Sequence, residues 1–447
     1  MNEAIFKAYD VRGKVGSELN ADSCERIGKA FADWLPTEGV VAVGYDMRPD
    51  SRQLAEAVSE GLRLQGREVW SIGQVASDML YFTVGHFNLA GGAMITASHN
   101  PGEYNGIKFC REQARGVGIE TGLAEIRDLA IANDFAPSLD KASLTEKDVM
   151  EDWVKHALGF VNVADWPAYK IAVDAGNGMA GAVMPHLVKH LPEHLSVEAM
   201  YWELDGTFPN HLANPLDERT LVDLQAKIRA DGLDFGIAFD GDGDRAVLID
   251  ETGAPISGTV MTAILAKYFL VKNPGASILY NAICGRIVGE TIAQGGGQGH
   301  RTKVGHSYIK AEMRKHDAVF AGEHSGHYYF RDNFSADSGL IAALVAVQVL
   351  TESGKKLSEL VSEFQTYVSI NETNFEVTDK EGTIARLKGQ FNDGEQDDLD
   401  GLTVNYADSW FNVRASNTEP LLRLNAEAKD EATLQELVER VKAIITA

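Results

Sequence analysis

The chain has 447 residues and a formal net charge of −24, with 41 Lys and Arg against 65 Asp and Glu. This length allows about three domains of ~150 residues, and a hydrophobic content of 45% is typical of a globular protein with large cores. The charge excludes a general binder of nucleic acid or of anionic membranes, since both need clustered Lys and Arg. The charge does not exclude small acidic substrates, because a few cations in a cleft can outweigh the field of distant surface charges.

Targeting signals and cysteine usage indicate the compartment. The opening MNEAIFKAYDVRG contains no apolar signal core, and the longest apolar run, 339–350, is too short to span a bilayer. Cys24, Cys110 and Cys284 are far apart and fit no metal or redox pattern. We therefore expect a protein of the reducing cytoplasm. The sequence leaves the oligomeric state open, with a monomer as our expectation.

Short apolar runs alternate with helical patterns along most of the chain, which predicts an α/β fold. Runs at 40–45, 68–72 and 92–96 predict strands, and the polar stretch 133–147 predicts a boundary near residue 150. The pattern restarts at 170–174 and again after residue 252, whereas the last ~80 residues carry more strand and turn before a closing helix. We expect four units. They are 1–150, 151–252 and 253–367, all α/β, and a smaller α+β unit at 368–447.

The first chemical motif is TASHNP at 96–101, which directly follows a predicted strand. This position is the carboxyl edge of a sheet, where ligands bind in open α/β folds. Ser98 beside His99, with Lys108 close by in NGIKF, suits a nucleophile or a phosphoryl carrier. A helix cap or a turn would use the same residue types.

Three carboxylates alternate with glycines in DGDGDR at 240–245, between two predicted strands. Asp240, Asp242 and Asp244 can turn their oxygens toward one cation, and hard oxygen ligands suit Mg²⁺ or Ca²⁺. An EF-hand has the same carboxylate spacing, but it requires glycine where Arg245 stands and helices where these flanks are strands. An acidic surface turn is the remaining alternative.

Two later loops carry donors suited to sugars and phosphates. GEHSGH at 322–327 offers paired donors and acceptors for hydroxyl groups, and upstream RTKVGHSYIK adds a small basic loop. RASNTEP at 414–420 combines an arginine fork with hydroxyl and amide donors, a combination that suits phosphate. Either loop alone could equally be a polar connection.

A glycine pattern in DAGNGMAG at 174–181 competes with this interpretation. It gives G-x-G-x-x-G between a predicted strand and helix, as in dinucleotide-binding folds, so a nucleotide-dependent oxidoreductase is an alternative class. The pattern leaves the other four motifs unexplained. We expect its glycines to allow tight packing of strand on helix.

Taken together and in order, the motifs resemble the α-D-phosphohexomutase family, in the form of its bacterial phosphomannomutase/phosphoglucomutase branch. TASHNP resembles its phosphoserine loop, DGDGDR its metal loop, GEHSGH its sugar-binding loop and RASNTEP its phosphate-binding loop. The resemblance runs from the YDVRG segment at 9–13 to residue 420. It implies four domains around a central cleft and an isomerase that interconverts hexose 1-phosphate and hexose 6-phosphate through a hexose 1,6-bisphosphate.

The resemblance also implies roles for individual residues. Ser98 is the expected phosphoryl carrier, and its oxygen is expected to hold Mg²⁺ together with Asp240, Asp242 and Asp244. The other expected catalytic residues are Arg12, His99, Lys108 and Arg245. The expected substrate ligands are Tyr9, Lys303, His306, Glu323, His324, Ser325, Gly326, His327, Arg414, Ser416, Asn417 and Thr418.

Four alternatives remain at this level. A phosphoglucosamine mutase would share the serine, metal and phosphate loops, and only GEHSGH argues against it. Mannose and glucose differ only at C2, at which no named residue is clearly aimed, so dual specificity is our expectation. Either Lys108 or His99 could move the hydroxyl proton. A phosphatase would need water to reach phospho-Ser98, and no sequence feature favours that.

Overall fold

The structure is a computed structural model of the chain and describes residues 1–136, 140–416 and 421–446. Its sheets divide these residues into four units, three α/β units with mixed sheets followed by a smaller α+β unit, which confirms the predicted fold class. In the described ranges no helix has the length and apolar character that crossing a bilayer requires.

The first unit surrounds a mixed sheet. Its strands are β1 (Val11–Lys14), β2 (Val41–Tyr45), β3 (Val69–Gln74), β4 (Gly91–Ile95), β5 (Tyr104–Arg111), β6 (Arg115–Gly116) and β7 (Leu144–Glu146), and its helices are α1 (Ala21–Trp34), α2 (Ser51–Leu64), α3 (Ser77–His86) and α4 (Leu123–Ala132). The strand order is β1-β5-β4-β2-β3-β7, with β6 beside β5. Strand β7 lies inside the stretch that we predicted to be a polar boundary. Its side chains are exposed, and it is a strand because it pairs in parallel with β3.

The second and third units repeat the mixed topology. The second contains α5 (Met150–Leu158), β8 (Lys170–Asp174), α6 (Ala180–Leu187), β9 (Ser196–Met200), α7 (Val222–Asp231), β10 (Phe235–Phe239) and β11 (Ala246–Asp250). The third contains α8 (Gly258–Lys272), β12 (Ser277–Asn281), α9 (Arg286–Gln294), β13 (Gln298–Thr302), α10 (His306–Lys315), β14 (Phe320–Gly322), β15 (Tyr328–Phe330), β16 (Ala336–Asp337), α11 (Gly339–Ser353) and α12 (Leu357–Ser362). Their sheet orders are β11-β10-β8-β9 and β13-β12-β14-β15-β16.

The last unit is an antiparallel sheet covered by helices. It contains β17 (Val368–Ser369), β18 (Thr373–Glu376), α13 (Lys380–Gln390), β19 (Glu395–Asp397), β20 (Leu402–Asn405), β21 (Ser409–Ala415), β22 (Leu421–Ala428) and α14 (Glu431–Ile445). The sheet order is β17-β22-β21-β20-β19, with β18 beside β22. This unit has an apolar core of its own.

The same local arrangement recurs in each α/β unit. A strand that is parallel to one neighbour ends in a loop, and the chain returns through an antiparallel strand: β4 to β5, β10 to β11 and β14 to β15. These three loops hold TASHNP, DGDGDR and GEHSGH. A core that includes Phe82, Phe239 and Leu344 continues through all three units and fixes the loops relative to one another.

Arg286 at the start of α9 makes several of the contacts between the third unit and the last. Its guanidinium donates to the main-chain carbonyl oxygens of Tyr406, Ala407 and Ser409, the last two at 2.9 and 2.8 Å. Its backbone N–H donates to Glu427 Oε1 at 3.0 Å. Three of the four acceptors that Arg286 finds in the last unit are therefore backbone carbonyl oxygens.

The packing of α1 on α2 depends on a glycine and gives a first prediction. A Cβ at Gly61 would lie 2.1 Å from the carbonyl oxygen of Glu25, a backbone atom that cannot move aside. We expect Gly61→Ala to lower the free energy of unfolding by about 1–3 kcal/mol, the usual cost of overpacking. Denaturant titration measures this change.

Gly389 in α13 is the matched control, because a Cβ there would meet no atom of the described residues within 4 Å. Gly389→Ala is expected to leave stability unchanged or to raise it by up to ~1 kcal/mol through helix propensity. Equal effects of the two substitutions would contradict the proposed close contact.

Candidate functional site

Ser98 lies in the loop between β4 and β5 and points at the second unit. It is 4% exposed, and its hydroxyl donates to Asp240 Oδ2 at 2.9 Å. Arg245 Nη2 donates to the same hydroxyl at 3.3 Å, and His99 Nδ1 lies 3.2 Å away. Arg12 holds the loop from β1 by donating to the carbonyl oxygen of Ala97 at 3.0 Å. The predicted carrier thus lies among the predicted catalytic residues.

The acidic loop between β10 and β11 brings its carboxylates together. Asp240, Asp242 and Asp244 are at most 1% exposed, and one ligand oxygen from each lies within 4.8 Å of the others. Lys108 Nζ on β5 donates to Asp242 Oδ2 and Asp244 Oδ2, both at 2.6 Å. Two units therefore contribute charges of opposite sign to one buried site.

Burial and charge displace the pKa values of this cluster in opposite directions. Burial, followed by the neighbouring Asp244 carboxylate, raises the pKa of Asp240. Burial would raise the pKa of Asp244 as well, but Lys108, His327 and Arg245 together outweigh it and hold that pKa well below its usual range. Burial would lower the pKa of Lys108, but Asp242 and Asp244 keep it well above the ordinary value. Lys108 is therefore an ammonium group.

The acidic loop has the donor set for a divalent cation. Two cations, Lys108 and Arg245, face three buried carboxylates, so negative charge remains. Among the described residues Asp242 Oδ1 has no hydrogen-bond partner, and Asp244 Oδ1 has only His327 Nε2 at 3.5 Å. Buried carboxylate oxygens in this state fit a hard metal ion.

A second group, Asp244, His327 and Asp337, also brings its ligand atoms within 4.8 Å. Here Lys310 Nζ already pairs with Asp337 Oδ1 at 2.7 Å, with both side chains 1% exposed. This ion pair leaves less uncompensated charge than the acidic loop does, so the acidic loop is the better candidate metal site.

The GEHSGH loop between β14 and β15 faces the acidic loop. Glu323 is 2% exposed and accepts from Asn281 Nδ2 at 3.0 Å, Tyr329 Oη at 2.5 Å and Gly305 N at 3.3 Å. Ser325 Oγ lies 2.9 Å from His327 Nδ1. Glu323 thus fixes the loop, while His327, which Ser325 contacts, directs Nε2 toward Asp244 of the second unit.

His324 and Gly326 belong to the same loop but have different environments. His324 Nδ1 lies 3.1 Å from Thr259 Oγ1, and the residue lines a cavity of about 200 Å³ between the third and last units. Gly326 has a φ of +79°, a left-handed conformation that favours glycine. The structure thus places the His324 side chain apart from Ser325 and His327.

The basic loop before α10 joins the first unit to the third. Tyr9 Oη donates to the carbonyl oxygen of Val304 at 2.8 Å, and a Cβ at Gly305 would lie 2.5 Å from the Tyr9 ring. Lys303 is exposed, with Nζ 5.8 Å from the centroid of the Tyr308 ring. The side chain of His306 lies outside the described part of the structure.

The last unit contributes two arginines held on one carboxylate. Arg414 Nη2 and Arg423 Nη1 donate to Glu372 Oε2 and Oε1, both at 3.0 Å, and Asn425 Nδ2 donates to Oε2 at 3.1 Å. Burial would raise the pKa of Glu372, but Arg414 and its neighbours lower it below the usual range. Ser416 is buried beside Arg414. The predicted ligands Asn417 and Thr418 lie outside the described residues.

Sequence patterns missed two groups that support the site, Glu372 and Arg48. Glu372 holds the arginines of the last unit, and Arg48 donates to main-chain carbonyls of the Ser98 loop. Neither residue belongs to a periodic pattern or to one of the recognised motifs. Both residues act where folding brings together segments about 50 positions apart. A single sequence does not show this proximity.

The glycine pattern at 174–181 has a packing role. A Cβ at Gly181 would lie 2.1 Å from the carbonyl oxygen of Trp202, and one at Gly178 would lie 2.8 Å from that of Gly241 in the acidic loop. The glycines allow close approach of main chains, as expected. The helix that follows, α6, ends at Leu187, and the chain continues as a 3₁₀ turn, Val188–His190.

The arrangement is chemically suited to phosphoryl transfer. This reaction needs a positioned acceptor oxygen and cations around the equatorial oxygens, with little further covalent chemistry. The site offers a buried serine hydroxyl, a carboxylate cluster that fits a divalent cation, and the cationic side chains of Lys108 and Arg245.

Comparisons with known proteins agree with this chemistry. Family models for phosphoglucomutase/phosphomannomutase match the chain in four parts: α/β/α domain I at 3–136, domain II at 151–253, domain III at 257–367 and the C-terminal domain at 372–444. The chain therefore belongs to the phosphoglucomutase/phosphomannomutase family. This assignment overturns the oxidoreductase alternative.

Individual relatives cover nearly the whole chain. A protein named phosphohexose mutases from Xanthomonas campestris pv. campestris is 40% identical over 442 residues, which are 98% of this chain and 97% of that protein. A phosphomannomutase from Escherichia coli (strain K12) is 37% identical over 449 residues, covering 99% and 98%. The crystal structure of a phosphoglucomutase/phosphomannomutase family protein from Burkholderia thailandensis has a TM-score of 0.91 and 31% identity, covering 99% and 97%.

Cation binding gives the second prediction. We expect the wild-type protein to bind Mn²⁺, used as a spectroscopic probe, at one site that Mg²⁺ competes for. Asp242→Asn should weaken binding more than ~10-fold, since even the outer partners of metal ligands are worth about 10- to 100-fold. Electron paramagnetic resonance of free Mn²⁺ measures the affinity.

Asp231→Asn is the control, because Asp231 is an exposed acid at the end of α7 in the same unit. This variant should bind Mn²⁺ as the wild type does. Equal affinities of the wild type and Asp242→Asn would remove the acidic loop as the metal site.

Proposed function

We propose that this phosphohexomutase interconverts the 1-phosphates and 6-phosphates of mannose and glucose through phospho-Ser98 and a hexose 1,6-bisphosphate. The single observation that carries the proposal is the position of Ser98 Oγ, 2.9 Å from Asp240 and 3.3 Å from Arg245, at the meeting point of two units. The curated relatives named phosphomannomutase support mannose as one substrate.

The transfer step is a displacement at phosphorus. The bond between phosphorus and Ser98 Oγ breaks while the free hydroxyl oxygen of a bound hexose phosphate forms a new bond to phosphorus. The bisphosphate turns over in the cleft, and its other phosphoryl group returns to Ser98 Oγ by the reverse displacement. Arg12, Lys108 and Arg245 supply cationic charge around the reacting phosphate.

Mg²⁺ is the cation that we propose for the acidic loop. Asp240, Asp242 and Asp244, with an oxygen of phospho-Ser98, would hold it. When bound, it would neutralise charge on the phosphoryl oxygens. Lys108 already donates to two of these carboxylates, and this contact keeps the buried acids compensated.

Proton transfer accompanies each displacement, because the attacking hydroxyl loses a proton and the leaving oxygen gains one. Of the two predicted groups, Lys108 donates to two carboxylates, whereas His99 Nδ1 lies 3.2 Å from Ser98 Oγ. Arg245 Nη2 also contacts His99 Nδ1, so both neighbours of the reacting oxygen are themselves engaged, and we keep Lys108 and His99 as the two candidates for moving the proton.

Substrate binding must tolerate two orientations of the sugar. We assign the hydroxyl contacts to the GEHSGH loop, with Glu323, Ser325 and His327, and the distal phosphate to the loop of Arg414 and Ser416. Tyr9, Lys303, His306, His324, Gly326, Asn417 and Thr418 complete the proposed ligand set. The four sequence units at 1–150, 151–252, 253–367 and 368–447 would then contribute the phosphoserine, metal, sugar and phosphate loops respectively.

We also propose that the enzyme acts as a monomer in a reducing cytoplasm. All four loops belong to one chain, so no second copy is required to supply a ligand. Cys24, Cys110 and Cys284 are free thiols in buried positions, which suits a reducing compartment.

Ser98→Ala tests the carrier assignment and is the third prediction. The variant should fold but lose hexose phosphate mutase activity by at least ~1,000-fold, as other enzymes do when they lose a covalent nucleophile. The assay compares kcat/KM for mannose, glucose and glucosamine 1-phosphates. Ser59→Ala, at a buried serine of α2, is the control and should keep full activity. Near-normal turnover by Ser98→Ala would remove Ser98 as the carrier.

The same assay tests the proposed sugars. A preference of the wild type for glucosamine 1-phosphate would contradict mannose and glucose as the substrates.

Arg414→Ala tests the phosphate site and is the fourth prediction. Losing a charge-assisted fork should raise KM for hexose 1-phosphate about 10- to 100-fold, since hydrogen bonds to charged groups contribute roughly 1.5–3 kcal/mol. Arg386→Ala, at an exposed arginine of α13, should leave KM unchanged. An unaltered KM and kcat in Arg414→Ala would exclude Arg414 from the site.

A further inference from the structure

Arg48 is a buried arginine behind the Ser98 loop, in the turn between β2 and α2. Its residue exposure is 3%. The guanidinium donates to four main-chain carbonyl oxygens between the end of β4 and the first residue of β5: Ser98 at 2.8 Å, Asn100 at 2.6 Å, Pro101 at 2.8 Å and Tyr104 at 2.9 Å. A single side chain thus contacts most of the segment that carries the serine.

The remaining guanidinium N–H group pairs with a buried carboxylate. Arg48 Nε donates to Asp46 Oδ2 at 3.2 Å, and Asp46 is fully buried. Asp46 also accepts from the backbone N–H of Arg48 at 3.0 Å and from Ser51 Oγ at 2.5 Å. All five N–H donors of the guanidinium therefore have an acceptor, and its charge is balanced locally.

The loop that Arg48 holds has an unfavourable backbone conformation. Ser98 has a φ of +50°, in the left-handed region that residues with a Cβ rarely adopt. From the opposite side, Gly241 approaches so closely that a Cβ there would lie 2.4 Å from the carbonyl oxygen of Ser98. The carbonyl is thus confined between Arg48 and the acidic loop, while the hydroxyl points at Asp240.

We propose that Arg48 is a positioning residue for phosphoryl transfer, which fixes the left-handed conformation of Ser98 through the loop carbonyls. This inference rests on the proposed function of Ser98 as the carrier. In that function one serine oxygen exchanges a phosphoryl group with two different hydroxyls of a sugar that turns over. Because the sugar is mobile between the two transfers, the enzyme must keep its own oxygen in place for both.

Arg48→Lys tests the proposal, because lysine keeps the charge beside Asp46 but cannot donate to four carbonyls in two directions. We expect kcat to fall about 100-fold, the cost of a misplacement of roughly 1 Å, while KM for hexose 1-phosphate stays within about threefold of the wild-type value. The single-turnover rate of transfer from ³²P-labelled phospho-Ser98 to hexose phosphate should fall with kcat.

Arg67→Lys is the matched control. Arg67 is 8% exposed and also donates to main-chain carbonyls, those of Ala32, Leu35 and Thr37 at the end of α1. Both variants should have a lower Tm, but Arg67→Lys should keep the wild-type kcat and single-turnover rate. A merely structural role for Arg48 would lower Tm in both variants without the loss of transfer rate, and this result would overturn the proposal.

Two further outcomes are decided in the same experiment. If Arg48→Lys does not fold, the double variant Asp46→Asn/Arg48→Gln takes its place, because it removes both buried charges together. We expect the same loss of kcat in this double variant. A wild-type kcat in it would overturn the inference. Failure of the proposed function is distinguishable, because the wild-type protein itself would then show no transfer from Ser98 to hexose phosphates.

Discussion

The compensation of three buried carboxylates is the constraint on which the rest of the structure depends. Asp240, Asp242 and Asp244 leave water together, and removing such charges from water is costly unless cations lie close by. Arg245 comes from the same loop, but Lys108 comes from a strand of the first unit. Assembly of the first two units therefore stabilises the acidic loop by bringing Lys108 to it. The same residues thus form both the site and part of the interface between these two units.

Part of this architecture follows from the sequence alone. Strands β8 and β10 begin and end where the apolar runs do, because both are central strands of a sheet, buried on both faces and bounded by polar or glycine-rich turns. Helix α11 begins after Ser338, whose side chain accepts from the backbone N–H of Ile341. Strand β7 is exposed and polar, so only its pairing with β3 identifies it.

Some residues of the candidate site could likewise be predicted from the sequence, and others could not. Ser98 and the acidic loop were recognisable because their residue types are concentrated in short motifs at strand ends. Arg48 and Glu372 were not, because each acts on groups brought near by folding rather than by sequence. The contacts of Arg48 with main-chain carbonyls are independent of the residue types that it contacts. Residue-based patterns do not register such interactions.

Arg286 has a related consequence for how this protein can evolve. Its guanidinium attaches the last unit through the carbonyl oxygens of Tyr406, Ala407 and Ser409, which any amino acid in those positions would supply. Sequence drift at these three positions therefore leaves these three hydrogen bonds chemically possible, whereas the contacts of Glu427, Asp397 and Asp400 with the third unit depend on side chains of the last unit. A C-terminal segment exchanged between related genes would therefore have to keep both its backbone path at 406–409 and these acidic side chains to preserve the contact.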